Sequence, residues 1–270
     1  MIPKDFITEW REHAPWVADR QVEQDLVISR ALVALFSSEA IATGLAFRGG
    51  TALYKLHLRP AARYSEDIDL VQIAAGDIGT LLDAIHDALD GWLGKPQWKH
   101  SEGRVTLSYR FESEDVPPVR LKLKVEINSR EHFTVLGHRK HAFAVKSRWF
   151  AGAADIHTYE LDELLGTKLR ALYQRKKGRD LFDLAHALQR GGVSAERIVS
   201  CFARYMDEGG ARVTRAMFEQ NLAAKKADKV FTADMTPLLA PGQDWNFDHA
   251  FDVVWRELIG RLPGDPWKGR

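Results

Sequence analysis

The sequence has little cysteine and no excess of charge of either sign. Its 270 residues include one cysteine, Cys201. No disulfide can form within the chain, which suits a reducing compartment. Lysine and arginine number 38 against 37 acidic residues, a formal net charge of +1. A charge this small excludes a uniformly basic nucleic-acid binder, so any contact with RNA has to come from a local patch.

Long apolar runs are also missing. No stretch approaches the roughly 18 apolar residues of a membrane-spanning helix, and residues 1–5 lack the basic-then-apolar pattern of a signal peptide. We therefore expect a soluble, cytoplasmic protein with no membrane partner. What is present is ordinary globular composition, 45% hydrophobic and 28% charged residues. That is enough core for one large domain or two small ones.

The spacing of apolar residues predicts helices and strands in separate parts of the chain. Helices are predicted over residues 1–43, 51–58, 77–93 and from 160 onward; strands are predicted over residues 44–49, 66–71, 104–112 and 119–128. Strands confined to the first part and helices filling the last part predict an α+β fold.

The most informative motif is the pair Asp67 and Asp69, which falls on a predicted strand. Residues two apart on a strand face the same way, so both carboxylates point to one place. Two such acids repel each other unless a cation lies between them, and carboxylate oxygens are typical Mg²⁺ ligands. The alternative is a solvated edge strand or turn with incidental acids. The apolar Leu70-Val71 that follows favours a buried strand instead.

A Gly49-Gly50-Thr51 turn precedes the acid pair. The Thr51 hydroxyl is predicted to cap a helix that begins there, and the free amides of such a helix start attract phosphate. Gly-Gly is common in plain turns, so the turn is informative only because the acid pair follows it. Together the two elements indicate a site for nucleotidyl transfer.

A third acid, Glu126, lies on the polar side of the strand predicted over residues 119–128. If this strand neighbours the Asp67/Asp69 strand, Glu126 joins the metal site. The alternative is an ordinary solvent-facing residue paired with Lys124. Further on, residues 138–148 mix basic and aromatic side chains, a pattern typical either of a nucleic-acid contact or of a solvated hairpin.

A second group of charged residues lies about a hundred residues after the acid pair. Lys168 and Arg175 are predicted to lie on one face of a single helix, because they are seven residues apart. Gly178 is predicted to end that helix, with Asp180 as the N-cap or a first-turn acid of the next helix and Asp183 three residues further on. The alternative is ion pairing and capping on a helix surface.

Three segments together resemble the AbiEii/AbiGii toxin family, nucleotidyltransferases of the polymerase-β-like superfamily. They span residues 45 to 185, about half of the chain, and read Gly49-Gly50-Thr51-Ala52-Leu53, Arg63-Tyr64-Ser65-Glu66-Asp67-Ile68-Asp69-Leu70, and Lys168-Leu169-Arg170-Ala171 with Arg175 and Arg179-Asp180-Leu181-Phe182-Asp183-Leu184. The resemblance implies a nucleotidyltransferase core with a mixed β-sheet flanked by helices over residues 1–155. It also implies a helical domain over residues 156–270 that completes the active site.

The resemblance assigns roles to single residues. Asp67 and Asp69 match the metal-binding pair, with Glu126 as the third ligand; Lys168 matches a residue that contacts the triphosphate; and Asp180 matches an acid important in related toxins. Positions predicted to bind substrate are Gly49, Gly50, Thr51, Arg63, Ser65, Arg175, Arg179 and Asp183. The expected cofactor is one or two Mg²⁺ ions, and the expected substrate is an NTP.

The resemblance implies a toxin of a toxin–antitoxin (abortive infection, phage defence) system, with its antitoxin encoded by a neighbouring gene. We expect it to transfer NMP from an NTP to the 3′ end of tRNA, which blocks aminoacylation and growth. Alternatives are transfer to a protein or small molecule, and a nucleotide- or RNA-binding module without turnover. A glycosyltransferase can also use Asp-x-Asp for Mg²⁺ but needs neither the glycine turn nor the segment 168–183.

Overall fold

A computed structural model describes residues 2–269, which form two compact units. The first unit comprises the chain up to residue 134 and residues 138–159, and the second comprises residues 135–137 and the chain from residue 160 onward. The units divide at Tyr159–Glu160. The domain boundary predicted after residue 155 falls inside the last strand of the first unit.

From residue 2 onward, the described part of the first unit contains five helices and seven strands. Its helices are α1 (Lys4–Trp10), α2 (Asp19–Phe36), α3 (Glu39–Gly44), α4 (Gly49–Ala52), which continues as a π-helical turn over Leu53–His57, and α5 (Gly79–Leu93). Its strands are β1 (Leu45–Arg48), β2 (Asp67–Gln72), β3 (Gln97–Ser101), β4 (Arg104–Glu112), β5 (Arg120–Asn128), β6 (His138–Lys146) and β7 (Ala151–Tyr159).

The strands form one mixed sheet in the order β3-β4-β5-β2-β1-β7-β6. Strand β2 is central; it pairs antiparallel with β1 and parallel with β5. In the inner strands, alternate side chains are apolar and buried on the side of the sheet covered by helices such as α2 and α5, as Ile68, Val125 and Ile127 illustrate. The residues between them form the other face of the sheet, here called the open face. The predicted α+β fold with a mixed sheet and flanking helices is confirmed.

The second unit is helical. Its helices are α6 (Leu161–Gln174), α7 (Gly178–Arg190), α8 (Ala195–Glu208), α9 (Arg215–Lys226), α10 (Lys229–Ala233) and α11 (Phe247–Glu257), with 3₁₀ turns at Thr236–Leu238 and Ile259–Arg261. Helix α6 packs against α7 and α8, and its Leu165 and Leu169 are fully buried. The side chains of Ser194, Thr214 and Asn246 accept hydrogen bonds from the first turns of α8, α9 and α11, which fixes where these helices begin.

Several local predictions were wrong. The helix predicted from Thr51 begins at Gly49, so Thr51 is not its cap. Helix α6 ends at Gln174, and Arg175 follows it in an extended conformation instead of lying on the Lys168 helix face. Strands β3 and β7 were not predicted, and β6 was covered only by the hairpin alternative for residues 138–148. Within residues 2–269, no helix combines the length and the apolar content that crossing a bilayer requires.

Candidate active site

The two strand partners of β2 place charged residues around the acid pair. Asp69 is opposite Arg48 of β1 and Glu126 of β5, and Asp67 is opposite Lys124 of β5. Residues paired across strands face the same side of a sheet. All five side chains therefore belong to the open face, and the predicted proximity of Glu126 to the acid pair is met by the strand register.

Lys124 binds two of these acids. Its Nζ lies 3.0 Å from Asp67 Oδ2 and 3.5 Å from Glu126 Oε2. Burial acts to lower the pKa of Lys124, but Asp67 and Glu126 outweigh it and raise that pKa above its ordinary value. Glu126 also meets Arg104, whose Nε lies 3.3 Å from Oε1. The predicted alternative, in which Glu126 pairs with Lys124, thus describes its contact in this structure.

Burial and two acidic neighbours act on the carboxylate of Asp69. Its pKa is raised by burial, by Asp67 and by Glu126, against the opposing effects of Arg48 and Lys124. A divalent cation would relieve this repulsion, and Asp67, with 39% of its side chain exposed, is accessible to one. Two carboxylates are what a protein commonly gives Mg²⁺, with the rest supplied by water and phosphate. The residues present therefore fit the metal.

A third protein ligand has no support from the geometry. In the part of the chain from residue 2 to 269, no three His, Cys, Asp or Glu side chains are grouped so as to hold a metal ion. Glu126 as a metal ligand stays a prediction.

Gly49 is the residue that brings the turn against the acid pair. Its φ is +84°, a left-handed conformation that favours glycine. A Cβ atom at this position would lie 2.2 Å from Asp69 Oδ2 and 3.1 Å from Asp69 Cβ. The backbone can approach the carboxylate this closely only because residue 49 has no side chain.

Arg48 was not among the predicted site residues. Its Nη1 donates a hydrogen bond of 2.6 Å to Glu131 Oε2, and its charge acts on Asp69. The sequence signal was present, since Arg48 directly precedes the glycine turn. Its partner Glu131 comes from the loop after β5, and no local pattern connects the two.

The remaining residues predicted for substrate binding in this unit form one cluster. Thr51 Oγ1 donates to Ser65 Oγ at 2.9 Å, and Gly50 lies against Arg63 and Ser65. The Arg63 side chain is only 2% exposed; its Nη1 donates to the Tyr64 carbonyl at 2.9 Å. Two hydroxyls and a guanidinium are suitable donors for phosphate oxygens.

A cavity of about 330 Å³ opens beside this cluster, and Thr51, Arg63 and Ser65 line part of it. Lys55 and Asp25, which were not predicted as site residues, form an ion pair that lines this cavity. Lys55 Nζ lies 2.6 Å from Asp25 Oδ1. Burial lowers the pKa of Lys55, although Asp25 acts to raise it.

The acid of this ion pair is itself held by two aromatic side chains. The indole nitrogens of Trp10 and Trp16 donate to the two oxygens of Asp25 at 2.9 and 3.2 Å. Both tryptophans are buried.

In the second unit, Lys168 lies between two buried carboxylates. Its Nζ is 3.2 Å from Asp180 Oδ1 and 2.9 Å from Asp183 Oδ2. Arg175 binds Asp180 through both oxygens, at 2.7 and 2.8 Å. Asp180 and Asp183 are 0% exposed, so the alternative of ion pairs on a helix surface is wrong. Burial acts to raise the pKa of Asp180, but Lys168 and Arg175 lower it below its ordinary value.

The start of α7 depends on a close backbone contact. A Cβ atom on Gly178 would lie 2.3 Å from the Phe231 carbonyl oxygen, so only glycine allows α10 to come this near. The next residue, Arg179, donates its backbone N–H to Asp234 Oδ2 at 3.2 Å. Gly178 therefore begins α7, where it was predicted to end the preceding helix.

The basic segment 138–148 forms β6 and the turn that follows. The ring of His138 packs on His157 and Tyr159, with centroids 4.8 Å apart in both cases. Arg148 pairs with Asp5 and Glu9 of α1, each at 2.8 Å. Of the two interpretations left open by the sequence, these contacts favour the hairpin.

The chain matches the family model described as nucleotidyl transferase AbiEii toxin, type IV toxin–antitoxin system, over residues 30–253. This chain belongs to the AbiEii family. It is therefore a nucleotidyltransferase and the toxin of a type IV toxin–antitoxin system, as the resemblance implied. No curated protein matches the chain.

Solved structures share the fold of this AbiEii protein. MenT4, a nucleotidyltransferase toxin from Mycobacterium tuberculosis H37Rv, is 19% identical with a TM-score of 0.69, and the match covers 98% of this chain and 92% of that one. JHP933 from Helicobacter pylori is 18% identical with a TM-score of 0.53, over 90% and 95% of the two chains. At these identities the likeness shows the fold alone.

Proposed function

We propose that this AbiEii toxin transfers a nucleoside monophosphate from an NTP to a 3′ hydroxyl of tRNA, in a reaction that requires Mg²⁺. The observation that carries the proposal is the placement of Asp67 and Asp69 on the open face, with the Gly49 backbone pressed against Asp69. Phosphoryl transfer depends mainly on positioning and charge stabilisation. A rigid carboxylate pair next to a glycine turn supplies the positioning.

Asp67 and Asp69 would hold the metal. When bound, Mg²⁺ polarises the α-phosphate and offsets the charge that develops on pyrophosphate. The acceptor hydroxyl oxygen forms a bond to the α-phosphorus while the bond from that phosphorus to the oxygen of the β-phosphate breaks. Pyrophosphate leaves, and the hydroxyl proton passes to a carboxylate of the cluster, Asp69 or Glu126. Both carboxylates belong to the open face of the sheet, where β2 and β5 pair.

The hydroxyl and guanidinium groups beside the glycine turn would bind the phosphate oxygens. Thr51 and Ser65 lie within hydrogen-bonding distance of each other, and Arg63 is fixed by burial, so these donors are positioned before the nucleotide arrives. Contact of Lys168 with the triphosphate, and the roles of Arg175, Arg179, Asp180 and Asp183, are predictions from the family resemblance. For an antitoxin, we expect the product of a neighbouring gene.

Transfer of labelled nucleotide tests the proposal. The protein is incubated with each labelled NTP, total tRNA and either Mg²⁺ or EDTA, and RNA and protein are then separated. We expect label on tRNA with Mg²⁺ only. Asp69→Asn should reduce the rate at least about 10³-fold, because metal polarisation contributes several kcal/mol and each 1.4 kcal/mol is about tenfold. The matched control is Asp155→Asn, an exposed aspartate of β7, which should retain the rate.

Two results would contradict the proposal. The first is no label on tRNA from the wild-type protein, and the second is an undiminished rate in Asp69→Asn. Label on a protein or small molecule instead of RNA would show the same chemistry with a different acceptor.

A further inference from the structure

The edge of the sheet formed by β3, β4 and β5 carries a set of basic side chains on the open face. We define the basic face by these residues: Lys99, Arg104, Arg110, Arg120 and Lys122. All five are exposed. They share one side of the sheet because the strand register pairs Arg110 with Lys122, and Ser108 with Lys124. Lys99 belongs to the same side because it pairs with Thr106.

The basic face leads to the acid pair. Same-face residues of a strand are about 6.6 Å apart, and neighbouring strands are about 4.8 Å apart. Lys122 is one such step from Lys124, and Lys124 Nζ lies 3.0 Å from Asp67 Oδ2. The positive charges therefore form a continuous series from the edge of the sheet to the carboxylates where chemistry is proposed.

The charges of the basic face are largely unneutralised. Arg104 contacts Glu126, but among residues 2–269 no acidic side chain forms an ion pair with Lys99, Arg110, Arg120 or Lys122. One acid, Glu112, lies opposite Arg120 in the register without pairing to it. At the other end of the sheet, Arg148 is bound by Asp5 and Glu9, whereas Lys140 and Lys146 of β6 are exposed.

We propose that the basic face binds the sugar–phosphate backbone of the acceptor RNA and directs its 3′ end toward Asp67 and Asp69. Exposed Lys and Arg side chains at strand spacing complement a polyanion. Ser108 and Thr106, between the cations, add hydroxyl donors for phosphate or ribose oxygens. Trp98 alternates with Lys99 and so faces the other side of the sheet, which leaves contacts to the backbone and not to stacked bases. This inference rests on the proposed function for the identity of the acceptor.

Charge reversal on this face tests the assignment. The variant Arg110→Glu with Lys122→Glu is compared with Lys140→Glu and Lys146→Glu, which change two exposed residues of β6 at the opposite edge of the same sheet. Binding of fluorescent tRNA is measured without NTP or Mg²⁺ over a series of salt concentrations. The neutral variant Arg110→Gln with Lys122→Gln, which should retain the fold, gives a second comparison.

We expect the Arg110/Lys122 reversal to weaken binding at least about tenfold. The slope of log K against log salt should decrease by about 1.4, since each single-strand phosphate contact contributes about 0.7. The neutral variant should lie between it and the wild type, and the β6 variant should bind as the wild type does. In the transfer assay, KM for tRNA should rise while KM for NTP stays the same.

Three outcomes would overturn the assignment. Unchanged tRNA binding in the Arg110/Lys122 reversal is the first. The second is equal weakening in the β6 variant, which would mean that net charge alone matters. The third is retained RNA binding with loss of binding to a protein partner. A wild-type protein that binds tRNA through this face but transfers no label would leave the assignment intact and remove the proposed acceptor instead.

Discussion

Each unit of this toxin contains two aspartates beside a lysine, and the two clusters differ in access to solvent. Asp67 and Asp69 lie on the open face of the sheet, where Lys124 binds only Asp67 of the pair. Asp180 and Asp183 are fully buried around Lys168. The same residue types are thus placed in one accessible cluster and one enclosed cluster.

The pKa directions show what this difference means. The pKa of Asp69 is raised by burial and by its acidic neighbours, whereas the pKa of Asp180 is lowered by Lys168 and Arg175 despite burial. The pKa of Asp69 thus reflects its burial first and its acidic neighbours second, whereas the pKa of Asp180 reflects direct pairing with cations. The enclosed cluster is balanced by its own side chains. The accessible cluster is the one proposed to bind the metal, and the enclosed cluster is held together by its own ion pairs.

Replacing one acid of each cluster by its amide should affect stability in opposite directions. Asp180→Asn leaves Lys168 and Arg175 without a charged partner, which should lower the free energy of unfolding by about 3–5 kcal/mol. Asp69→Asn removes repulsion and should leave that free energy unchanged or slightly higher. Urea unfolding followed by tryptophan fluorescence measures both. Asp207→Asn, which breaks the exposed pair with Arg212, should cost at most about 1 kcal/mol. Equal losses in Asp69→Asn and Asp180→Asn would remove the distinction between the clusters.

The open cluster also depends on a glycine at position 49. Gly49→Ala should lower stability by about 2–4 kcal/mol, because a positive φ and a Cβ against Asp69 act together. The control is Gly94→Ala in the same unit, where φ is +75° and nothing lies within 4 Å of the added Cβ. That change isolates the cost of the φ angle, about 1–2 kcal/mol. If thermal unfolding gives equal losses for the two variants, the Asp69 contact contributes nothing.

A buried lysine near the enclosed cluster should make stability depend on pH. Lys225 donates to the carbonyls of Leu172 and Tyr173 at the end of α6, and burial lowers its pKa to about 8. Between pH 8 and about 10.5 the unfolded chain binds the proton more tightly. Charging Lys225 thus destabilises the fold below pH 8, and stability rises as pH increases through this window.

Lys225→Met tests this pH dependence and should remove the rise. The neighbouring residue gives a matched control, because the hydrogen bond that the exposed Lys226 donates to Asp248 raises the pKa of Lys226. Lys226→Met should keep the rise. Denaturant unfolding at pH 8, 9 and 10 measures both variants, and a rise that survives in Lys225→Met would assign it to another group.

The smallest expected effect concerns the lysine of the open cluster. Lys124→Met removes a positive charge 3.0 Å from Asp67 and should lower the Mg²⁺ concentration for half-saturation about two- to fivefold, equivalent to about 1 kcal/mol or less. Titration calorimetry with Mg²⁺ in the absence of RNA measures it. Lys122→Met, which changes a lysine without an acidic partner, should have less effect. Weaker Mg²⁺ binding in Lys124→Met would mean that the lysine supports the metal site.

The strands that carry the open cluster could be predicted from the sequence because one of their faces is buried. Asp67–Gln72 and Arg120–Asn128 alternate between core and open side chains, and this alternation is visible in the chain itself. Strand β3 was not predicted, because neither of its faces is buried. All five of its residues are exposed, so it is defined by backbone pairing at the edge of the sheet and has no apolar pattern.

Contacts between residues far apart in the sequence could not be predicted. The pairing of Asp69 with Glu126 depends on strand register, and no local sequence pattern shows that register. The burial of Asp180 was also hidden, because a charged residue in the first turn of a helix resembles an ordinary surface acid. The ion pair of Lys55 with Asp25 had no signal beyond a lysine between apolar neighbours.

The central position of β2 has a consequence for how the toxin is controlled. A strand bonded on both sides opens only with a free energy close to that of global unfolding, so its amides should be among the slowest to exchange with deuterium. Local fluctuations therefore do not switch the acid pair on and off. A ligand of the acid pair therefore meets carboxylates that are already in place, and it reaches them from the solvent side of the sheet.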